Sequence, residues 1–382
     1  MRWHSYAGFS TTNEGILLDL VRMKKVDLDI DNNVVTLQGG ALWGHAYKTL
    51  VNGRHNGYII NGGRCPTVGV GGFLLGGGLG PFTRSFGMGC DTLKEATLVT
   101  ADGRIVTVSD EDKANTDKGR LFWALRGAGG GNFGVVVEFK MYLSKLQNEE
   151  RAGGGRPLHV TITIDSSWLC DLKQSGGSEL GVRFLVYYDG TKDEFDKLIE
   201  KKVKQKDLAK QLKRRSLAEK STRFLHETLA SQWSEETIKA FPSQTSYKLY
   251  SSFVFKNDAS RIRSVIAIIR QEMAAFRREF PGETGLLQVT WIHSGGQASA
   301  KKRSETAFRW RDCTYHAYIM LEWQEKWLEM DMRGFMQKFK EKLKPFSMMG
   351  RAAFINFADA ALQSNASERA SFLLHLLRHV KR

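Results

Sequence analysis

Short segments in which apolar and polar residues alternate dominate the first third of the chain. They are GILLDL (15–20), VVTLQGG (34–40), ATLVT (96–100), RIVTVS (104–109) and VVVEFKMYL (135–143). A period of two predicts half-buried strands. ATLVT and RIVTVS meet at Ala101-Asp102-Gly103-Arg104, a strong hairpin signal. Ala41 to Leu50 reads as a short helix between strands. Further on, strands are predicted at VTITI (160–164), GVRFLVYY (181–188), YSSFVF (250–255), LLQVTWIH (286–293) and YHAYIMLEW (315–323). Helical spacing of Leu198, Val203, Leu208, Leu212 and Leu217 predicts a helix through the basic run, and another lies near Ser260 to Phe280. Strands and helices in mixed blocks imply an α+β protein, with an antiparallel sheet carrying helices on one face.

With 382 residues the chain exceeds one ordinary core, so two domains or one composite unit is expected. Eleven glycines fall between Gly62 and Gly89, and glycine thins out after the first third. The linker-like RAGGGRP (151–157) marks the boundary between the two compositions. The expected units are 1–150, 151–345 and a C-terminal element over 346–382. Hydrophobic content of 42% and charged content of 25% are ordinary for a globular protein, and no apolar run is long enough to cross a bilayer. The N-terminus MRWHSYAGFSTTNEG lacks the basic-then-apolar pattern of an export signal. Cys65, Cys90, Cys170 and Cys313 are widely spaced; only Cys313 with His316 has ligand-like spacing, two ligands short of a closed zinc site.

The net charge of +15 raises nucleic acid or an anionic membrane as partners. Much of that charge is local: eleven Lys or Arg against three acidic residues lie between Lys197 and Arg223. Without interleaved aromatics or a nucleic-acid module, this run reads first as a solvated helix face, and a binding surface centred on Lys213, Arg214 and Arg215 is the lesser reading.

Residues 61–92, NGGRCPTVGVGGFLLGGGLGPFTRSFGMGCDT, carry the candidate chemistry. Such glycine density is costly in regular structure. It implies repeated positive φ, or a large planar or anionic group approached by bare backbone. A glycine-rich turn between core strands is the plain alternative. The run is neither a GxxxxGK[ST] loop nor a GxGxxG fingerprint between strand and helix. Cys65 by itself reads first as a small buried apolar residue.

This string, with SYAGFSTTNEGILLDL, LQGGALWGHAYKTL and LFWALRGAGGGNFGVVVEF, resembles the berberine-bridge branch of the vanillyl-alcohol-oxidase superfamily. TAFRWRDCTYHAYIMLEW and FINFADAAL resemble that family's substrate-domain strand and its C-terminal Y-x-N-[YF] element. The resemblance implies a PCMH-type FAD-binding domain, here with an incomplete N-terminal lobe, followed by a substrate domain whose antiparallel sheet is covered by helices. In the family, the cysteine of CPTVG bonds to C6 of the isoalloxazine and the histidine of GGHSY to its 8α-methyl, matching Cys65 and His4. Cofactor contacts are thereby implied at Pro66, Thr67, Val68, Gly69, Gly71, Gly72, Gly76, Gly77, Gly78 and Gly80. They are also implied at Asp91, Gly131, Asn132, Gly134, Val136 and Asn356.

The implied activity is an FAD-linked oxidase taking hydride from a C–H next to O or N of a carbohydrate or secondary metabolite, with O2 reduced to H2O2. A small-molecule substrate and O2 are the expected partners, with neither nucleic acid nor membrane. Alternation along Tyr315 to Trp323 puts His316, Tyr318, Met320 and Glu322 on one face, and His316 and Tyr318 are the candidates for the general base. For each, an ordinary strand residue is an equal reading. Val68 stands where the family's small residue is associated with oxygen access. Phe354 and Phe357 replace the tyrosines of the C-terminal element, Arg2-Trp3 replace the glycines before His4, and the chain reads as truncated at both ends. These departures motivate a second expectation, a non-catalytic or decayed flavoprotein. Relatives are often secreted, while this chain carries no export signal.

Overall fold

The computed structural model describes residues 5, 8, 10–11, 13–53, 55, 58–145, 162–173, 180–188, 192–213, 246–350, 352–357 and 359. Twelve strands are found among them. The early ones are β1 (Val26–Asp29), β2 (Val34–Gln38), β3 (Tyr58–Ile59), β4 (Leu93–Val99), β5 (Ile105–Ser109), β6 (Val135–Tyr142) and β7 (Ser144–Lys145). The later ones are β8 (Ile162–Asp171), β9 (Gly181–Tyr188), β10 (Tyr247–Phe255), β11 (Gly285–His293) and β12 (Tyr315–Trp323). The helices are α1 (Trp43–Asn52), α2 (Val70–Leu75), α3 (Asp117–Leu125), α4 (Lys192–Lys202), α5 (Lys206–Lys213), α6 (Ala259–Glu279) and α7 (Glu329–Leu343), with single turns at Thr83–Phe86 and Gln297–Ala300.

Two five-stranded antiparallel sheets result, in the orders β1-β2-β6-β4-β5 and β10-β12-β11-β8-β9, while β3 and β7 pair alone. The chain is α+β, as its pattern implies. In the first sheet Val35, Leu37, Ala96, Leu98, Phe139 and Met141 turn inward onto α1 and α2, joining Trp43, Tyr47, Leu50, Val70 and Leu74 in one core. The expected hairpin forms: Thr100 and Arg104 close it by a backbone bond of 2.9 Å, and Gly103 sits at φ +80°. GILLDL is a correction. Its residues make no strand, and Ile16, Leu17 and Leu18 stay exposed.

In the second sheet the odd-numbered residues of β12, Ala317, Ile319, Leu321 and Trp323, face the helix layer with Leu287 and Val289 of β11. Val265, Ile269, Met273 and Phe276 of α6, and Met332, Phe335, Met336, Phe339 and Leu343 of α7, cover that face. Asp258 caps α6 by accepting from the Ser260 and Arg261 N–H groups. The basic run forms α4 and α5, broken between Lys202 and Lys206; Arg214, Arg215 and Leu217 lie outside the described residues. So do RAGGGRP and His4.

The other face of this sheet, opposite the helices, holds the polar residues. Register places Thr290 beside Tyr318 on one side and Ser167 on the other, with Ser252 on the far flank of Tyr318. The C-terminal segment runs beside β10: the Val254 N–H donates to the Ala352 carbonyl (3.1 Å) and the Phe354 N–H to Ser252 Oγ (3.1 Å).

Candidate functional site

Cys65 opens a tight turn, in which the Val68 N–H donates to the Cys65 carbonyl at 3.2 Å. The turn is docked on the start of α1, where the Gly44 and Trp43 N–H groups donate to the carbonyls of Pro66 (2.8 Å) and Val68 (3.1 Å). The Val70 N–H then reaches the Ala41 carbonyl at 3.0 Å. Upstream, Gly62 and Gly63 lie against the Trp43 ring, so any side chain there would strike it, and the Tyr47 hydroxyl donates to the Gly63 carbonyl at 2.7 Å. The thiol of Cys65 stays partly exposed, 3.2 Å from Thr67 Oγ1.

The glycines divide by what their missing side chains would meet. A Cβ on Gly69 or Gly72 would find nothing within 4 Å, and the same holds for Gly131 at φ +77°. Bare backbone beside Cys65 therefore faces open space, as a cradle for a planar group requires. Gly76, Gly77, Gly78 and Gly80 are different: their missing side chains make room for Asn356, Phe308, Phe73 and the Gly62 carbonyl respectively. Gly77 and Gly78 also adopt positive φ. At these four positions the missing side chain is what lets neighbouring groups pack. Gly71 lies near Phe139 and the Gly39 carbonyl, and Gly134 against the Val99 carbonyl.

Other residues expected at the cofactor also have partners within the protein. Asp91 gives both carboxylate oxygens to Arg311, at 2.7 Å each, and accepts the Met88 N–H at 2.8 Å, so it has an internal partner. Val136 turns its side chain into the first core. Asn132 is exposed and donates to the carbonyls of Ala128 (3.1 Å) and Gly129 (3.3 Å). Asn356 donates to the Phe73 carbonyl at 3.0 Å and fills the space over Gly76, which ties the C-terminal segment to α2.

Across from the glycine turn stands the open face of the second sheet. Tyr318 interacts with the Thr290 hydroxyl, and Arg64, Asp165 and Cys65 all lie within electrostatic reach of it. Thr290 Oγ1 in turn accepts from Gln288 Nε2 (2.7 Å) and lies 3.0 Å from Ser167 Oγ. The Tyr318 ring packs at 5.1 Å on Phe357 and 6.4 Å from Tyr250. Burial raises the Tyr318 phenol above its ordinary value, the Thr290 bond and the Arg64 charge opposing. Arg64 forms an ion pair with Asp165, whose Oδ1 accepts the His293 N–H at 2.7 Å. Thr290, Gln288, Ser167, Arg64 and Asp165 were not singled out from sequence. Arg64 had the one available signal, its place next to Cys65.

His316 shares the strand face of Tyr318 but not its setting. It is fully buried, with its ring 5.1 Å from Phe354 and 6.1 Å from Phe308, and its Nε2 lies 3.1 Å from Cys313 Sγ. Burial pushes the imidazole down to about 3 and the Cys313 thiol up to about 12. A neutral, walled-in ring places His316 less favourably than Tyr318 for work on a substrate proton. The Cys313–His316 spacing is a hydrogen bond, and among the described residues no three His, Cys, Asp or Glu gather to hold a metal.

Burial of His316 has a measurable consequence. Above its ordinary value of 6.5 both folded and unfolded imidazoles are neutral, and the residue makes no pH-dependent contribution. Below it the unfolded chain takes a proton that the folded chain refuses until about 3, so stability falls as pH falls through that window. The slope expected is ~1.4 kcal/mol per pH unit. Denaturation of wild type and His316→Leu across this window should give slopes differing by about one proton; parallel curves would mean that the ring is protonated in the fold.

Residues 2–109 match the FAD binding domain family. A glucooligosaccharide oxidase from Sarocladium strictum is 45% identical over 139 residues, covering 36% of this chain and 26% of that protein. The chain thus spans about a quarter of that relative's length. Berberine bridge enzyme from Eschscholzia californica superposes with a TM-score of 0.71 at 18% identity, over 98% of this chain and 76% of that one. The Acremonium strictum glucooligosaccharide oxidase, described as revealing a novel flavinylation, superposes with a TM-score of 0.69 at 21% identity, over 99% and 80%.

Proposed function

We propose that this chain, which resembles the berberine-bridge-enzyme-like FAD-linked oxidoreductases in its FAD binding domain and in its fold, holds FAD covalently through Cys65 and oxidises a small molecule. The substrate class is a carbohydrate or secondary metabolite with a C–H next to O or N, and O2 is the electron acceptor, leaving as H2O2. One observation carries the reading: a partly exposed cysteine, on a turn whose glycines face open space, opposite a tyrosine on the polar face of the second sheet. The name of the glucooligosaccharide oxidase supports a carbohydrate among the substrate classes.

The residues present fit the cofactor. Cys65 supplies a nucleophilic sulfur, Pro66 to Val68 a turn fixed by α1, and Gly69 and Gly72 a bare edge. When bound, FAD supplies a two-electron acceptor for the carbon-bound hydrogen. The protein's own part is to place the substrate and manage its heteroatom proton. Tyr318 is the group for that work: the Thr290 hydroxyl contacts its phenol, and the phenol has capacity left for a substrate hydroxyl or amine. Gln288 and Ser167 hold Thr290 in turn.

The test is direct. The purified full-length protein should be yellow, and acid precipitation should leave the flavin in the pellet. Cys65→Ala should move it to the supernatant; flavin that stays with the Cys65→Ala pellet assigns a second link at His4. A colourless protein after reconstitution with FAD would sink the reading.

A second reading is a flavoprotein without turnover. Phe354 and Phe357 favour it: both rings pack in the Tyr318 neighbourhood, and neither has a proton to exchange. Substrate-dependent peroxide from wild type, absent from a variant carrying Cys65→Ala and Tyr318→Phe, decides against it.

A further inference from the structure

We propose that Arg64 and Asp165 are a positioning pair that presents the Cys65 thiol to the flavin ring it bonds, an inference that rests on the reading of Cys65 given above. Arg64 immediately precedes Cys65 and reaches out of the first sheet's turn to Asp165 on β8 of the second sheet. The Asp165 side chain is only 2% exposed and that of Arg64 19%. The carboxylate is itself fixed, since its other oxygen accepts the His293 N–H of β11. The Cys65 turn is therefore held from two directions: by the Trp43 and Gly44 backbone on one side, and by a β8 carboxylate on the other.

A buried ion pair is weak evidence for stability, because apolar residues of similar size commonly serve as well. What this pair adds is register between two sheets at the residue next to the thiol. Burial raises the Asp165 carboxyl, and the Arg64 charge and the His293 N–H oppose that rise. The pair also brings Arg64, Cys65 and Asp165 together in front of Tyr318, where all three act on the phenol.

The attachment needs such control. Joining Sγ to a ring carbon removes the thiol proton and a ring hydrogen, and the two electrons released pass to O2, which leaves as H2O2. The nucleophile is the thiolate, so the sulfur must be held against the ring carbon it attacks. Displacing a reacting atom by about 1 Å slows a proximity-limited step by about 10²-fold.

The experiment compares flavin retained in the acid pellet with flavin released, in full-length wild type, Arg64→Lys, Arg64→Gln, Asp165→Asn and the double variant Arg64→Gln/Asp165→Asn. Arg64→Gln and Asp165→Asn are expected to keep total flavin but to release most of it, with the approach to full attachment slowed by about 10²-fold. Arg64→Lys keeps the charge and should recover part of the attachment. Equal retained fractions in wild type and in both single charge-removing variants would overturn the proposal. Loss of all flavin from the single and double variants alike would also overturn it, by assigning the pair to folding alone. Failure of the underlying reading is seen separately, as dissociable flavin or none in wild type.

Discussion

Tyr318→Phe is expected to lower kcat by ~10²–10⁴-fold, the span a positioned general base contributes, while leaving flavin content and its attachment unchanged. Phenylalanine keeps the ring that packs on Phe357 and near Tyr250, so the fold loses only the hydroxyl. That hydroxyl lies on the polar face that meets the Cys65 turn, whereas His316, about 7 Å along the same strand face, is enclosed by Phe308 and Phe354. The pH profile separates a base from a wall residue. Burial raises the phenol above its ordinary value, so at neutral pH only a small fraction is deprotonated. Below that raised value the deprotonated fraction, and with it kcat/KM, should climb about tenfold per pH unit. Phenylalanine should flatten this limb. Peroxide release measured against pH for both proteins makes the comparison. A wild-type profile already flat, with Tyr318→Phe equally active, would reduce Tyr318 to a wall of the pocket.

The parts of the fold that read clearly from sequence are those fixed by local periodicity and turn chemistry. The β4–β5 hairpin is one, because alternation and an Asp-Gly turn agree on it. The polar face of β12 is another: period two alone puts His316 and Tyr318 together. Helix α7 was passed over although Met332, Phe335, Met336, Phe339 and Leu343 form a helical stripe. Exposed Trp327 and Met330 beside its start blur the contrast between faces. GILLDL shows the converse, an apolar run that forms no strand among the described residues.

The site was legible at Cys65 and less so around it. A glycine that admits a ligand and a glycine that admits a packed side chain look alike in a sequence, since both forbid a Cβ. Only geometry separates Gly69 and Gly72, which face space, from Gly76 and Gly77, which face Asn356 and Phe308. Burial likewise distinguishes His316 from Tyr318, and no local pattern encodes it. Arg64 with Asp165, and Asp91 with Arg311, join residues from opposite ends of the fold.

That last pair supports the largest stability effect expected in the molecule. Arg311 and Asp91 make two parallel bonds of 2.7 Å, with side chains only 1% and 3% exposed. Arg311 also donates to the Ala298 carbonyl (3.1 Å) and to Thr306 Oγ1 (2.5 Å), and Asp91 holds the Met88 N–H. Asp91 ends the glycine-rich loop and Arg311 precedes β12, so the pair joins the Cys65 side of the protein to the Tyr318 strand. Asp91→Asn leaves a guanidinium buried without its counter-charge, and Arg311→Met leaves a carboxylate in the same state. Each should cost about 3–5 kcal/mol, the usual penalty for breaking a buried pair from one side. For a chain of this size that corresponds to a fall in Tm on the order of 4–6 °C. The double variant Asp91→Asn/Arg311→Met buries no net charge and should be less destabilised than the sum of the two, by ~1–3 kcal/mol. Thermal denaturation of the four proteins at one pH and salt completes the cycle. Single variants within about 1 kcal/mol of wild type would mean that water reaches the pair, and that the two halves are joined instead through Asn356 and the Trp123 and Arg126 contacts with Ser304 and Glu305.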